Sequence, residues 1–225
     1  MMWLLAIALI FLVSPAHGSH ETFGPLAQVL PTGTDRGGWS FNYTDTGYLM
    51  ANNMPNNERS LRRFTVPESA ILPYQRPFTY SVKVYIRPNT QFLHPEFGAN
   101  AGLVYAVDLK KPKWQVIMVR ADGSVMTASF APRENRGAGQ LSNQLFYRET
   151  GAEAGKATEI KVVESEQGAV VSINGQPLIQ VTVPPYGSVG LIAFGSGEYH
   201  FREFTILDKQ GAKLPGRQPR PNVRR

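Results

Sequence analysis

Residues 102–125 read GLVYAVDLKKPKWQVIMVRADGSV. Two short apolar runs, 102–107 and 114–119, flank a lysine-rich turn, and Asp122-Gly123 makes a second turn at once. Short runs rich in Val, Ile and Tyr, bounded by turn residues, are read as strands. Asp-Gly between two such runs suits a type I′ hairpin turn, in which both central residues have positive φ. The stretch therefore predicts consecutive antiparallel strands of one sheet. One face of that sheet builds a core, and the use of the other face is the functional question.

Working outward, FTYSVKVYIR (78–87) alternates with period two. Phe78, Tyr80, Val82, Val84 and Ile86 point one way, and Thr79, Ser81, Lys83, Tyr85 and Arg87 the other, as in a sheet covered on one side. Further strands are expected at 39–43, 47–53, 61–66, 102–108, 113–120, 124–130, 144–149, 158–165, 169–174, 177–183, 188–194 and 199–207. No segment carries an amphipathic helical pattern of four turns. Asn174-Gly175 is a second turn of the type I′ kind. Many short strands, regular turns and no long crossover segments predict an all-β, two-sheet antiparallel sandwich of jelly-roll type. Longer loops are expected at 31–38, 52–60, 67–77, 88–100 and 131–143, where a sandwich usually binds its ligands.

The two ends read differently from the middle. MMWLLAIALIFLVSPAHG (1–18) has an apolar run from Trp3 to Val13 followed by small residues, the pattern of a cleaved export leader. As a helix that run would span about 16 Å, against about 30 Å of bilayer hydrocarbon. The chain has no cysteine, which excludes disulfides, thiolate catalysis and Cys-ligated zinc. An exported protein without disulfides fits a bacterial periplasmic or extracellular address. The net charge is +6, and six of the 23 basic residues lie in KQGAKLPGRQPRPNVRR (209–225), which has no acid. The other 17 basic residues balance the 17 acidic ones. Such a Pro-, Gly- and Arg-rich tail is expected to be disordered. It serves either as a solubilising tail or as a weak, salt-sensitive tether to an anionic envelope surface. The expected organisation is a leader at 1–18, a lead segment at 19–36, one domain at 37–208 and the tail at 209–225.

No residue pattern names a reaction. Glu164 and Glu166 have same-face spacing, but they run into a turn and read as a solvated strand end. The histidines lack metal-ligand spacing, and there is no Gly-x-Ser-x-Gly elbow. A calcium ion could be held by loop oxygens, with Asp45, Gly47 and Asp108 as candidate donors; no other cofactor is expected. Sugar rings stack their apolar faces on aromatic side chains. Tyr85, flanked by Lys83 and Arg87 on the polar face of its strand, is therefore one candidate contact. Trp114, just after Lys113, is another. Aromatics in β-proteins equally serve core or edge packing.

Five elements also carry a resemblance: Asn100 to Leu103, Trp114 to Gly123, Val170 to Gly175, Gly187 to Leu191 and Phe201 to Ile206. An early Trp39, Asp45, Gly47, Leu49 element accompanies them. In this order they resemble the concanavalin A-like lectin/glucanase jelly rolls, nearest to the bacterial secreted domain associated with 3-keto-disaccharide hydrolases. The likeness spans about residues 37–207 and rests on turns and core strands. Two features depart from the enzyme-like branch. Ala106 stands where an arginine commonly follows the strand, and KATEIKVV lacks the tryptophan often found before the Asn-Gly turn. No catalytic residue is carried over.

Sequence and resemblance together lead to an exported, non-catalytic carbohydrate-binding or envelope-associated module. A glycan would stack on Tyr85 and Trp114 and hydrogen-bond to Lys83, Arg87 and Asp108. The alternatives are a sugar-active hydrolase of the 3-keto-glycoside type and a structural or adhesive envelope protein.

Overall fold

A computed structural model describes residues 30–54, 60–67, 76–91, 98–108, 113–132, 139–148, 150–182 and 187–214. The leader, most of the lead segment and the tail beyond Leu214 lie outside the described residues.

Among the described residues fourteen strands follow one another: β1 (Gly33–Thr34), β2 (Trp39–Thr44), β3 (Gly47–Asn52), β4 (Leu61–Thr65), β5 (Thr79–Pro88), β6 (Asn100–Asp108) and β7 (Lys113–Arg120), then β8 (Val125–Pro132), β9 (Gly139–Tyr147), β10 (Thr158–Ser165), β11 (Gly168–Ile173), β12 (Gln176–Val181), β13 (Ser188–Phe194) and β14 (Gly197–Leu207). They form an eight-stranded sheet in the order β1-β2-β3-β14-β5-β10-β11-β12 and a six-stranded sheet in the order β4-β13-β6-β7-β8-β9. Neighbours are antiparallel throughout, as in β5 with β14 and β6 with β7. The described residues contain no helix. The chain is an all-β, two-sheet jelly roll.

The core lies between the sheets. On β5 the alternation is the one read from sequence: Phe78, Tyr80, Val82, Val84 and Ile86 are all buried. Trp39, fully buried on β2, stacks on Tyr199 of β14 at 5.8 Å and donates its indole N–H to Ser60 Oγ at 2.8 Å. Leu103, Ile117 and Leu191 meet these residues from the six-stranded sheet. Each large apolar side chain so buried stabilises the fold by about 1.5–3 kcal/mol.

Several expectations need correction. The 31–38 loop contains β1, which pairs Gly33 with Phe41. Asp35 anchors it by accepting from the N–H groups of Gly37 and Trp39 and from Arg62. The 131–143 loop is shorter than expected, because β8 runs to Pro132 and β9 begins at Gly139. The domain also runs past residue 208. Asp208 Oδ1 accepts from the N–H groups of Gln210 and Ala212, turning the chain back so that Leu214 is buried and donates its N–H to Ile206.

The two Gly turns differ from each other. Asn174 and Gly175 both have positive φ, 48° and 80°, as a type I′ turn requires. In the 121–124 turn only Gly123 does, at 84°. There the Gly123 N–H donates to the Arg120 carbonyl and the Arg120 N–H to the Ser124 carbonyl, and the Asp122 carboxylate reinforces the turn by accepting from the Ser124 N–H at 2.9 Å. Glu164 is not a solvated strand end. It is buried, accepts from the Phe78 N–H at 2.9 Å and pairs with Arg76, whose other nitrogen donates to the Gly187 carbonyl.

Candidate functional site

The five residues expected to share a ligand do not come together. Lys83, Tyr85 and Arg87 lie on the outward face of the eight-stranded sheet, because β5 pairs with β10 and β14. Asp108 and Trp114 lie on β6 and β7 of the other sheet. Period two tells which side of a strand a residue occupies. It does not tell which sheet the strand joins, and the chain changes sheets between β5 and β6.

On the eight-stranded sheet, Lys83 pairs with Glu203 at 2.7 Å and Arg87 with Glu198 at 3.6 Å. Tyr85 packs beside His200, with ring centroids 5.7 Å apart. Burial pushes the His200 imidazole below its ordinary value, helped by Arg202 and Arg87 and opposed by Glu198. This is an open polar face whose two ion pairs cross-link adjacent strands.

The outward face of the six-stranded sheet is built differently. Cross-strand pairing sets Arg63, Ile192, Gly102, Met118, Met126 and Phe146 in one row across all six strands. The next row includes Gly190, Val104, Val116 and Ala128. Val104, Val116, Met118 and Ile192 are fully buried although they face away from the main core, and with Trp114, Met126 and Ala128 they form a second apolar cluster. The reason is a hollow. Arg63 on β4 and Trp114 on β7 are three strand spacings apart, and Trp114 lies four residues along β7 from Met118 in Arg63's row, so a flat sheet would hold them about 20 Å apart. Yet the Arg63 guanidinium carbon sits 4.1 Å from the Trp114 ring centroid. The two side chains arch over β13 and β6 and roof the residues beneath.

Phe130 stacks on Trp114 at 3.6 Å with nearly parallel planes, so guanidinium, indole and phenyl form three layers. Both faces of the Trp114 ring are therefore covered, and no sugar ring can stack on it. Its Nε1–H is buried with no acceptor among the described residues. Burial also lowers the Arg63 pKa from its ordinary value. Gly102 and Gly190 keep the floor free of side chains. A Cβ on either would overlap a carbonyl oxygen of the adjacent strand, Ile117 or Phe64.

Towards the β9 edge, beside the β7–β8 turn, a cleft of about 490 Å³ is lined by Arg120, Asp122, Ser124, Phe146 and Arg148. Phe146 is 52% exposed. Its ring lies 5.4 Å from the Arg120 guanidinium carbon, and Arg120 Nη1 is 3.7 Å from Asp122 Oδ2. Asp122 Oδ1 accepts from both the N–H and the hydroxyl of Ser124. Partial burial works to raise the Asp122 pKa, but these hydrogen bonds and Arg120 outweigh it and hold the carboxyl below its ordinary value.

None of these lining residues was a candidate from sequence. The readable signal was Leu145-Phe146-Tyr147, since three consecutive apolar residues on a strand must send the middle one to the opposite face. For a metal, Asp45 stands in the β2–β3 turn of one sheet and Asp108 ends β6 of the other. Among the described residues no group of three or more acidic or histidine side chains stands together.

No family model matches the chain, and no curated protein matches it. Solved structures do. A carbohydrate-binding module, CBM66, from Bacillus subtilis is 16% identical, with 78% of this chain and 95% of that chain covered and a TM-score of 0.49. A glycoside hydrolase family 16 endo-glucanase from Bacteroides ovatus is 10% identical, covering 83% and 93%, also at 0.49. A single-site variant of human galectin-16 is 11% identical, covering 65% and 94%, at 0.43. No ligand or residue role is transferred from them.

Proposed function

We propose that this chain is a carbohydrate-binding jelly-roll module that seats a sugar ring on Phe146, in the cleft towards the β9 edge of the six-stranded sheet. The observation that carries this reading is a half-exposed aromatic ring set among hydrogen-bonding side chains, Arg120, Asp122, Ser124 and Arg148, in one cleft. The apolar C–H face of a sugar suits the ring, and its hydroxyls suit the ionic and hydroxyl groups around it. A cleft of about 490 Å³ is of the size that takes one or two sugar units. Asp122 suits hydroxyl recognition better than glycoside cleavage. Cleavage commonly uses two carboxyl groups, one of them protonated, whereas the one described carboxylate of this cleft is held ionised. The leader-like first eighteen residues fit an exported module that meets its glycan outside the cytoplasm.

Screening the full chain on a glycan array, followed by titration of the best binder, tests the reading. Phe146→Ala is expected to weaken binding about tenfold, or about 1.4 kcal/mol. Its melting temperature should change little, because half the ring is already in water. A chain that binds no glycan, or a variant that binds as tightly as wild type, overturns the proposal.

A further inference from the structure

The charge inside the cleft narrows the ligand class. Two arginines, Arg120 and Arg148, face one described carboxylate, Asp122. That carboxylate already accepts two hydrogen bonds from Ser124 and lies beside Arg120. Arg148 is exposed and makes no ion pair with any described residue. Elsewhere on this face Arg63 is half-buried, and its one partner among the described residues is the Trp114 ring; it too has no described carboxylate beside it. Three arginines on one hollow face thus stand against a single described carboxylate. On the opposite sheet Lys83 and Arg87 each have their own, and Lys161 and Arg202, which form no ion pair with a described residue, stand exposed on its strands. Positive charge concentrated in a concave site draws in anions, and a planar guanidinium matches a carboxylate or sulfate with paired hydrogen bonds.

Resting on the carbohydrate reading above, we infer that the cleft selects an acidic glycan. The sugar ring lies on Phe146 while its carboxylate or sulfate group is held by Arg148, with Arg120 beside it. A uronic acid and a sulfated sugar share this chemistry, and the test separates them.

The full chain is titrated with an oligogalacturonide and its methyl ester, and with a sulfated oligosaccharide and its desulfated counterpart. Within each pair the sugar backbone is the same and the acidic group is the difference. The expected result is that one acidic member binds at least tenfold tighter than its neutral twin, and which pair shows the gap identifies the acid group. The gap should shrink severalfold in Arg148→Gln and narrow as salt is raised. Phe146→Ala should weaken both members of the pair. Equal affinity within both pairs overturns the acidic selectivity and leaves the carbohydrate reading standing. The acidic selectivity falls in the same way if none of the four binds while neutral glycans on the array do. An acidic preference that survives unchanged in Arg148→Gln places the charge readout away from this guanidinium and overturns the inference. If no glycan of any kind binds, both proposals fall together.

Discussion

On the outward face of the eight-stranded sheet, Lys83 meets Glu203, Arg87 meets Glu198 and Tyr85 leans on His200, all at least partly in water. On the outward face of the six-stranded sheet, Val104, Val116, Met118 and Ile192 are dry beneath Arg63 and Trp114. Both faces point away from the main core, so facing outward does not decide whether a side chain is wet. Curvature does. Where a sheet is hollow, side chains from distant strands can touch and build a second apolar layer; where it is open, charges stay hydrated, and Lys83 and Arg87 find partners on the next strand. The candidate cleft sits where the two regimes meet. Phe146 continues the apolar row but has lost its roof, and Arg120, Asp122 and Arg148 bring in the polar chemistry.

The sharpest break of this comparison is a pair of aromatic truncations. Trp114→Ala removes the middle layer of the Arg63–Trp114–Phe130 stack and opens a void over Val104 and Val116. It is expected to cost about 3–5 kcal/mol of unfolding free energy. Tyr85→Ala removes a half-buried ring from the open face and is expected to cost about 1 kcal/mol or less. Urea unfolding of both variants against wild type measures the difference. Equal costs would mean that the hollow is no drier than the open face.

How far this was readable beforehand follows from the kind of information alternation carries. FTYSVKVYIR displays its inward set, Phe78 to Ile86, because one face of β5 is polar. The strands around Asp122-Gly123 and Asn174-Gly175 were readable from their turn residues, although Asp122, unlike Asn174, has no positive φ and instead reinforces its turn with a carboxylate. Trp114 and Tyr85 looked alike in sequence, each an aromatic beside basic residues. Only the sheet to which each strand belongs separates them, and that depends on pairings with β10, β14 and β13, far away in the chain. Glu164 misled for a related reason. Its partner Arg76 lies 88 residues away in the chain, so the sequence around Glu164 shows a strand end and nothing of the cation that lets it be buried.

Glu164 sharpens the comparison from inside, because it is a charge that belongs to neither outward face. Burial pushes its carboxyl above the ordinary glutamate range, and Arg76 together with the Phe78 N–H offsets only part of the rise. A folded-state pKa raised above the unfolded one means that the folded protein holds the proton more tightly. The stabilising contribution is then complete below the ordinary glutamate pKa and is lost as pH rises through the elevated one. Wild type should therefore gain most over Glu164→Gln at acid pH, with the gap closing towards neutrality. Urea unfolding at several values between about pH 4 and pH 7 reads it. A gap that widens with rising pH would show that Arg76 outweighs burial.

The smallest effect is expected where the open face looks most interactive. Lys83 and Glu203 sit 2.7 Å apart, and their side chains remain 42% and 52% exposed. Ordering two solvated side chains costs entropy that cancels most of the attraction, so their coupling should lie between about 0.2 and 1 kcal/mol. A double-mutant cycle with Lys83→Met and Glu203→Gln isolates it. Glu203 has a φ of 53° in the β14 bulge, and glutamine keeps its size, so the bulge is disturbed equally in the single and double variants. Raising salt to about 1 M, where the screening length falls to about 3 Å, should remove most of the coupling. A coupling well above 1 kcal/mol that survives high salt would mean that the pair is shielded from water. The outward face of the eight-stranded sheet would then need a cover of its own, and the distinction between an open face and a hollow one would no longer explain where the cleft lies.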